Sequence, residues 1–170
     1  THTIGALAFA PDGALLVSNG DGATRLGDAR ALRSLELDSL AGKLLRIDPI
    51  SGAGLADNPF FDGDPTSNRS KVYQLGLRNP FRFTLDPASG QVAIGDVGWN
   101  SWEEINMGGA AANYGWPCYE GGSGISIRQP YYAASAATAG ACQALYQQES
   151  SVTAPVYAYD HSDGGGSAQV

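Results

Sequence analysis

The chain has 170 residues, 23 of them glycine, with 16% charged residues and a net charge of −7. An acidic chain without a stripe of Lys or Arg has no electrostatic means of holding a phosphate backbone, so no nucleic-acid partner is expected. Its apolar runs are too short to span a bilayer and no basic amphipathic face is present, so no membrane span or surface attachment is expected. Abundant glycine and sparse charge read as many turns and short strands. Residues 4–9 form the first candidate strand, with Leu7 and Phe9 on one face. Pro11-Asp12-Gly13 is a turn, and Leu15-Leu16-Val17 returns from it as a hairpin. Residues 28–40 offer one short helix. Residues 43–47 are the next strand, stopped by Asp48-Pro49 and Ser51-Gly52, and Val72-Tyr73 is a further candidate. Residues 81–85 follow, stopped by Asp86-Pro87 and Ser89-Gly90, and Val92-Ala93-Ile94 returns. Residues 143–149 offer a second short helix, and residues 155–159 a last strand.

The turns recur. Pro11, Pro49 and Pro87 each end a strand, and the spacings 49 − 11 and 87 − 49 are both 38. Recurrence near ~40 residues in all-β sequence is the signature of a propeller blade and predicts about four blades here. Long inserts, residues 53–70 and 118–150, interrupt the pattern. Cys118 and Cys142 flank most of the second one. Composition favours a disulfide formed in an oxidising compartment, closing that loop; the other reading is two separate buried thiols. The cysteines have no second Cys or His at metal-ligand spacing. The first residue is Thr1 with no leader pattern after it, and residues 163–170 read as a loop running into another strand, so the chain is expected to be part of a larger architecture.

Several blocks occur in a fixed order: His2, Gly5, Pro11-Asp12-Gly13, Gly20-Asp21, Gly42-Lys43-Leu44-Leu45-Arg46 and Asp57-Asn58-Pro59. Leu77-Arg78-Asn79-Pro80, Gly95-Asp96-Val97-Gly98, Trp102-Glu103-Glu104-Ile105-Asn106 and Asn113-Tyr114-Gly115-Trp116-Pro117 follow. This set resembles the glucose/sorbosone dehydrogenase family, which includes soluble sugar dehydrogenases that use pyrroloquinoline quinone (PQQ) and the hedgehog-interacting proteins. The resemblance implies an all-β fold, a β-propeller of six blades in the intact protein. Residues 1–170 would be one partial domain covering about half of it, three to four blades. It implies PQQ-dependent oxidation of an aldose or polyol, with PQQ and calcium as cofactors, a sugar or polyol substrate and an external electron acceptor, in a secreted or periplasmic protein. This chain alone is expected to be inactive. The alternative reading is a non-catalytic carbohydrate- or protein-binding module among other domains of a larger secreted protein.

The same resemblance assigns residues. His2 matches the general base acting on the sugar C1 hydroxyl, a role that a neutral imidazole suits; the plainer reading is a frayed terminal residue. The family's acidic residue before this histidine is Thr1 here, so His2 is expected to lack that neighbour. Arg78 matches an arginine that contacts the quinone oxygens and developing negative charge; the plainer reading is an arginine tying loops together. Asn79 supports the cofactor or, the favoured reading, holds the turn before Pro80. Gly98 and Trp99 match the stretch whose backbone carbonyls bind the cofactor's calcium. Val97 and Trp99 depart from the family's Gln and Pro there, which favours the binding module, and Trp99 is expected to cover a ring or wall off the pocket.

Glu103 and Glu104 are expected first as an exposed acidic pair and second, Glu104 above all, as calcium ligands. Asp21 and Asp96 are expected to bond turn amides. Asp57, Asp62 and Asp64 are oxygen-rich, but no Glu stands at the twelfth position of an EF-hand. Asn68-Arg69-Ser70 is a glycosylation sequon, and Gly164-Gly165-Gly166 lacks the Lys-Ser/Thr of a phosphate loop. His161 is read as a loop histidine. Trp102, Tyr114, Trp116 and Tyr119 are read as blade packing.

Overall fold

The computed structural model describes residues 2–24 and 27–162. Thr1 and residues 163–170, the Gly164-Gly165-Gly166 run among them, lie outside the described residues. Two four-stranded antiparallel sheets follow one another along the chain. The first comprises β1 (Ile4–Phe9), β2 (Leu15–Asn19), β3 (Lys43–Ile47) and β4 (Val72–Leu75). The second comprises β5 (Pro80–Leu85), β6 (Val92–Val97), β7 (Trp102–Asn106) and β8 (Tyr157–Asp160). Each runs up and down in chain order, which is the blade unit of a propeller.

The inner strands read as apolar runs because both of their faces are covered. Leu16 and Leu44 pack with Val92, Ile94, Leu77 and Tyr114 between the sheets. The alternate residues Val17 and Leu45 turn to the opposite face and pack with Val72 and Leu75. The first strands of the two sheets approach closely: a Cβ on Gly5 would clash with the carbonyls of Pro80 and Phe81, and Arg82 Nη1 donates to Gly5 O at 3.0 Å. On the open side of β1, Ile4, Leu7 and Phe9 are exposed.

The described residues form two blades rather than the three to four expected, and the repeat shows why. The Asp-Pro-x-Ser-Gly turn is used twice, with the Gly52 and Gly90 N–H groups donating to Asp48 O and Asp86 O. It follows the third strand of the first sheet but joins the first and second strands of the other. The 38-residue spacing therefore counts turns and not blades. β1 and β5 start at Ile4 and Pro80 and end at Phe9 and Leu85, an offset of 76 at both ends (80 − 4 and 85 − 9). Both long inserts, residues 48–71 and 107–156, join the third strand of a sheet to its fourth.

Helical structure is confined to loops. In place of a helix over residues 28–40 there is a 3₁₀ helix, Ala29–Ser34, with Asp28 capping Arg30 N. It stops where the carbonyls of Arg33 and Ser34 accept from the Lys43 ammonium at 2.8 and 2.7 Å; Ala41 O accepts from it too, at 2.7 Å. Lys43 is fully buried, and burial pushes its pKa down to about 7 while the three carbonyls favour the charged form. The second insert carries α1 (Pro130–Ala134) and α2 (Ala139–Tyr146). α1 was not foreseen; it starts at a proline, and Gln129 Oε1 accepts from Tyr131 N at 2.7 Å. A Cys118–Cys142 disulfide ties the early part of this insert to α2, as the favoured cysteine reading anticipated. Around it pack Trp116, Tyr119, Tyr132 and Tyr146, with Ala23 and Ala31 of the first sheet's loop. Among the described residues no helix is long and apolar enough to cross a membrane.

Candidate functional site

The site lies where the loop after β2, the β4–β5 connection and the head of the second insert meet. β2 ends at Asn19, and the chain turns through Gly20 to Asp21, which is buried. His2, just before β1, comes alongside: its Nδ1 lies 2.7 Å from Asp21 Oδ1. Ala23 N donates to the same oxygen at 2.9 Å, and Trp116 Nε1 to Oδ2 at 2.8 Å. Burial pushes the Asp21 carboxyl up, but these bonds from His2, Ala23 and Trp116 together hold it below the usual range. An ionised carboxylate only accepts, so His2 must place its proton on Nδ1. Nε2 is then the basic nitrogen. The acidic residue that the family carries just before this histidine is Thr1 here, and a carboxylate reaches His2 instead from Asp21, 19 residues on at the end of β2.

Asp21 also connects to Arg78. Its N–H donates to Arg78 O at 2.8 Å, and the Arg78 guanidinium sits 5.5 Å from the Trp116 ring centroid. Arg78 is buried, and its Nη1 donates to Val97 O at 2.8 Å and Gly98 O at 2.5 Å. The turn beneath it is fixed by Asp96, whose oxygens accept from Arg78 N at 2.9 Å and Asn79 N at 2.6 Å. The Asn79 backbone is thus part of the turn before Pro80, and Asp96 bonds amides of a neighbouring connection. His2, Arg78, Asn79, Gly98 and Trp99 are brought into one continuous bonded cluster.

A carboxylate scaffold lies under this cluster. Asp96 and Glu104 are direct partners across β6 and β7. Glu103 and Glu104 are both buried, which corrects the expected exposed pair. The second insert covers β7, and its Gly121 N donates to Glu104 Oε1 at 2.6 Å. Asn106 Nδ2 donates to Glu104 Oε2 at 2.9 Å. Burial pushes the Glu104 pKa up to about 7, and burial with the nearby Glu104 charge pushes Asp96 well above the carboxylate range. Glu103 accepts from His161 Nε2 at 2.8 Å and from Gly98 N at 3.3 Å, so His161 serves that carboxylate. Glu120, which drew no attention in the sequence, accepts from Trp99 N.

The motif set, the two-blade fold and this cluster decide the comparison: the profile described as Glucose / Sorbosone dehydrogenase matches residues 1–166. The chain belongs to the glucose/sorbosone dehydrogenase family. Among curated relatives of this glucose/sorbosone dehydrogenase family chain, the HIPL2 protein of Arabidopsis thaliana is 30% identical over 94% of the chain and 23% of its own length. Aldose sugar dehydrogenase YliI of Escherichia coli (strain K12) is 31% identical over 68% of the chain and 29% of its own length. The PQQ-bound form of aldose sugar dehydrogenase from Streptomyces coelicolor superposes with a TM-score of 0.59 at 34% identity, covering 75% of this chain and 35% of that one. The chain therefore spans roughly a quarter to a third of these proteins.

The donor set does not suit calcium at the expected place. Gly98 O already takes the Arg78 guanidinium, a cation where a second would stand. Both Glu104 oxygens accept from protein N–H groups. Among the described residues no group of three or more His, Cys, Asp or Glu is arranged to hold a metal ion. Asp57 pairs with Arg46, Asp62 and Asp64 cap their own loop, and Asn68 Nδ2 donates to Asp38 O. Trp116 is buried packing, as read, but it is also the Asp21 donor. Nothing in Asn-Tyr-Gly-Trp-Pro signals that bond, whose partner lies 95 residues away.

Proposed function

We propose that the intact protein carrying this chain oxidises an aldose or polyol with PQQ as the electron acceptor. The observation that carries this reading is the linkage through Asp21, whose carboxylate takes His2 and Trp116, whose N–H donates to Arg78 O, and whose Trp116 partner lies beside the Arg78 guanidinium. A fixed guanidinium beside a His–Asp pair suits an anionic quinone next to an alcohol, and Arg78, His2 and the ring of Trp99 are the groups that would hold the two. When bound, PQQ supplies the sink for the hydride that leaves the sugar C1. His2 Nε2 takes the proton of the C1 hydroxyl, and the Asp21 carboxylate stabilises the imidazolium that results. Arg78, already desolvated and held by Val97 O and Gly98 O, needs no reorganisation to stabilise negative charge. An aldose thereby becomes a lactone, and the two electrons pass on to an external acceptor. No step is assigned to calcium.

The Cys118–Cys142 bond supports an oxidising compartment, secreted or periplasmic. The exposed apolar edge of β1 and the length of the relatives support further blades outside residues 1–170. This chain by itself would then lack part of the site and be inactive. The test is to add PQQ to the full-length protein and follow aldose oxidation with a dye acceptor. Turnover that disappears in His2→Ala supports the reading. No spectral change on adding PQQ and no dye reduction with any aldose overturns it, and a non-catalytic carbohydrate- or protein-binding module takes its place.

A further inference from the structure

Arg78 is aimed from the far side of two peptide groups. Its Nη1 donates to Val97 O at 2.8 Å and to Gly98 O at 2.5 Å. Each of these carbonyls shares a peptide plane with the N–H that follows it, Gly98 N and Trp99 N respectively. Both peptides are trans, so C=O and N–H point in opposite directions. The two N–H groups therefore face away from the guanidinium, and each meets a buried carboxyl. Gly98 N donates to Glu103 Oε2 at 3.3 Å, and Trp99 N donates to Glu120 Oε1. A carboxyl at one end and a guanidinium at the other polarise the peptide between them in the same sense. A Cβ at position 98 would run into Trp102 O and Glu120 Oε1, so only glycine lets the loop lie this close to its supports.

From these bonds we infer that His161 is a positioning residue for Arg78, acting through Glu103 and the Val97–Gly98 peptide. His161 Nε2 donates to Glu103 Oε1 at 2.8 Å. Its own backbone N–H donates to Ser101 O at 2.8 Å, which ties residue 161 to the same loop. The β7–β8 register sets this up, because Asp160 pairs with Trp102 and leaves the next residue beside the loop that enters β7. Glu120, the other support, is held by the second insert, where its N–H donates to Ile127 O at 2.9 Å. The link from Gly98 N to Glu103 is long for an N–H···O bond, so its direction depends on what fixes the carboxyl. His161 is the side chain that fixes it. Among the described residues, Nε and Nη2 of Arg78 have no hydrogen-bond partner, so the bonds on Nη1 set how the rest of the guanidinium meets a ligand.

This inference rests on the sugar-oxidising reading for what Arg78 acts on, but not for how Arg78 is held. His161 touches neither substrate nor quinone in this scheme. Its loss should leave sugar binding in place and misdirect the charge that stabilises the reacting atoms.

The experiment uses the full-length protein. His161→Leu removes the donor, and His161→Gln restores an N–H at similar reach. In cofactor-free protein, hydrogen exchange over residues 97–101 is read by mass spectrometry. It should speed up about tenfold in His161→Leu and return to the original rate in His161→Gln, with the thermal midpoint little changed. With PQQ and a dye acceptor, kcat for glucose should fall about tenfold to hundredfold in His161→Leu, with KM within about threefold, and recover in His161→Gln. Unchanged exchange over residues 97–101 in His161→Leu overturns the inference, even where glucose is oxidised normally. Faster exchange spread over the whole chain, with a lower midpoint, also overturns it, since His161 would then serve stability alone. The expected local change in a protein that reduces no dye with any aldose keeps the positioning path and instead overturns the dehydrogenase reading.

Discussion

Asp96 and Glu104 face each other across the β6–β7 ladder, both buried, with Asp96 holding the amides of the Arg78–Asn79 turn and Glu104 holding Gly121. Two carboxylates so placed cannot both ionise without cost. Asn106 Oδ1, buried beside Glu104, has no hydrogen-bond partner among the described residues, and a proton on Glu104 Oε2 supplies one once that amide turns over. The folded state therefore binds protons that the unfolded chain has released.

The first prediction follows from that sign. Glu104 has a folded pKa near 7 against an ordinary 4.5, so the folded state holds more protons than the unfolded state between those values. Stability falls as pH rises through that window, by roughly 2–4 kcal/mol if Glu104 acts alone. The thermal midpoint should be higher at pH 5 than at pH 8. Glu104→Gln, neutral and able to donate to Asn106 Oδ1, should flatten the profile. A midpoint that rises from pH 5 to pH 8 contradicts the assignment.

Asp21→Asn should damage turnover more than binding. An amide offers one acceptor where His2 and Ala23 need Oδ1 and Trp116 needs Oδ2, so one donor is left facing an NH2. With the His2 tautomer no longer fixed, kcat for aldose oxidation by the PQQ-loaded intact protein should drop about 10²-fold or more, with KM changed far less. An unchanged kcat would show that His2 does not need Asp21.

Breaking the disulfide should loosen the insert that covers β7. Cys118 and Cys142 lie 24 residues apart in sequence, and closing a loop of that size contributes about 3 kcal/mol. The Cys118→Ser, Cys142→Ser double variant should melt roughly 6–12 °C lower, by calorimetry on protein of this size.

Lys43→Met keeps the volume of the side chain but strands three carbonyls, those of Arg33, Ser34 and Ala41. Urea unfolding should show a loss of about 3 kcal/mol or more. The 3₁₀ helix held by Lys43 also carries Arg33, whose Nη2 donates to Asp21 O at 2.9 Å. Turnover should therefore fall along with stability.

Much was written locally. Period-two alternation and the Pro-Asp-Gly and Asp-Pro-x-Ser-Gly turns mark the hairpins, because strand pleat and turn geometry depend on residues a few positions apart. The spaced blocks around His2 and Arg78 carry the family resemblance, and composition favoured the disulfide. The blade count, the His2–Asp21 pair, the burial of Glu103 and Glu104, the loss of Gly98 O to Arg78 and the part played by Glu120 were decided only in three dimensions. Each depends on which distant strand ends and inserts share a space. A carboxylate has the same spelling whether it stands in water or under a loop that folds back from 17 or 95 residues away. Its charge, its partners and its use are set by that neighbour, as Asp21 shows with His2 on one side and Trp116 on the other.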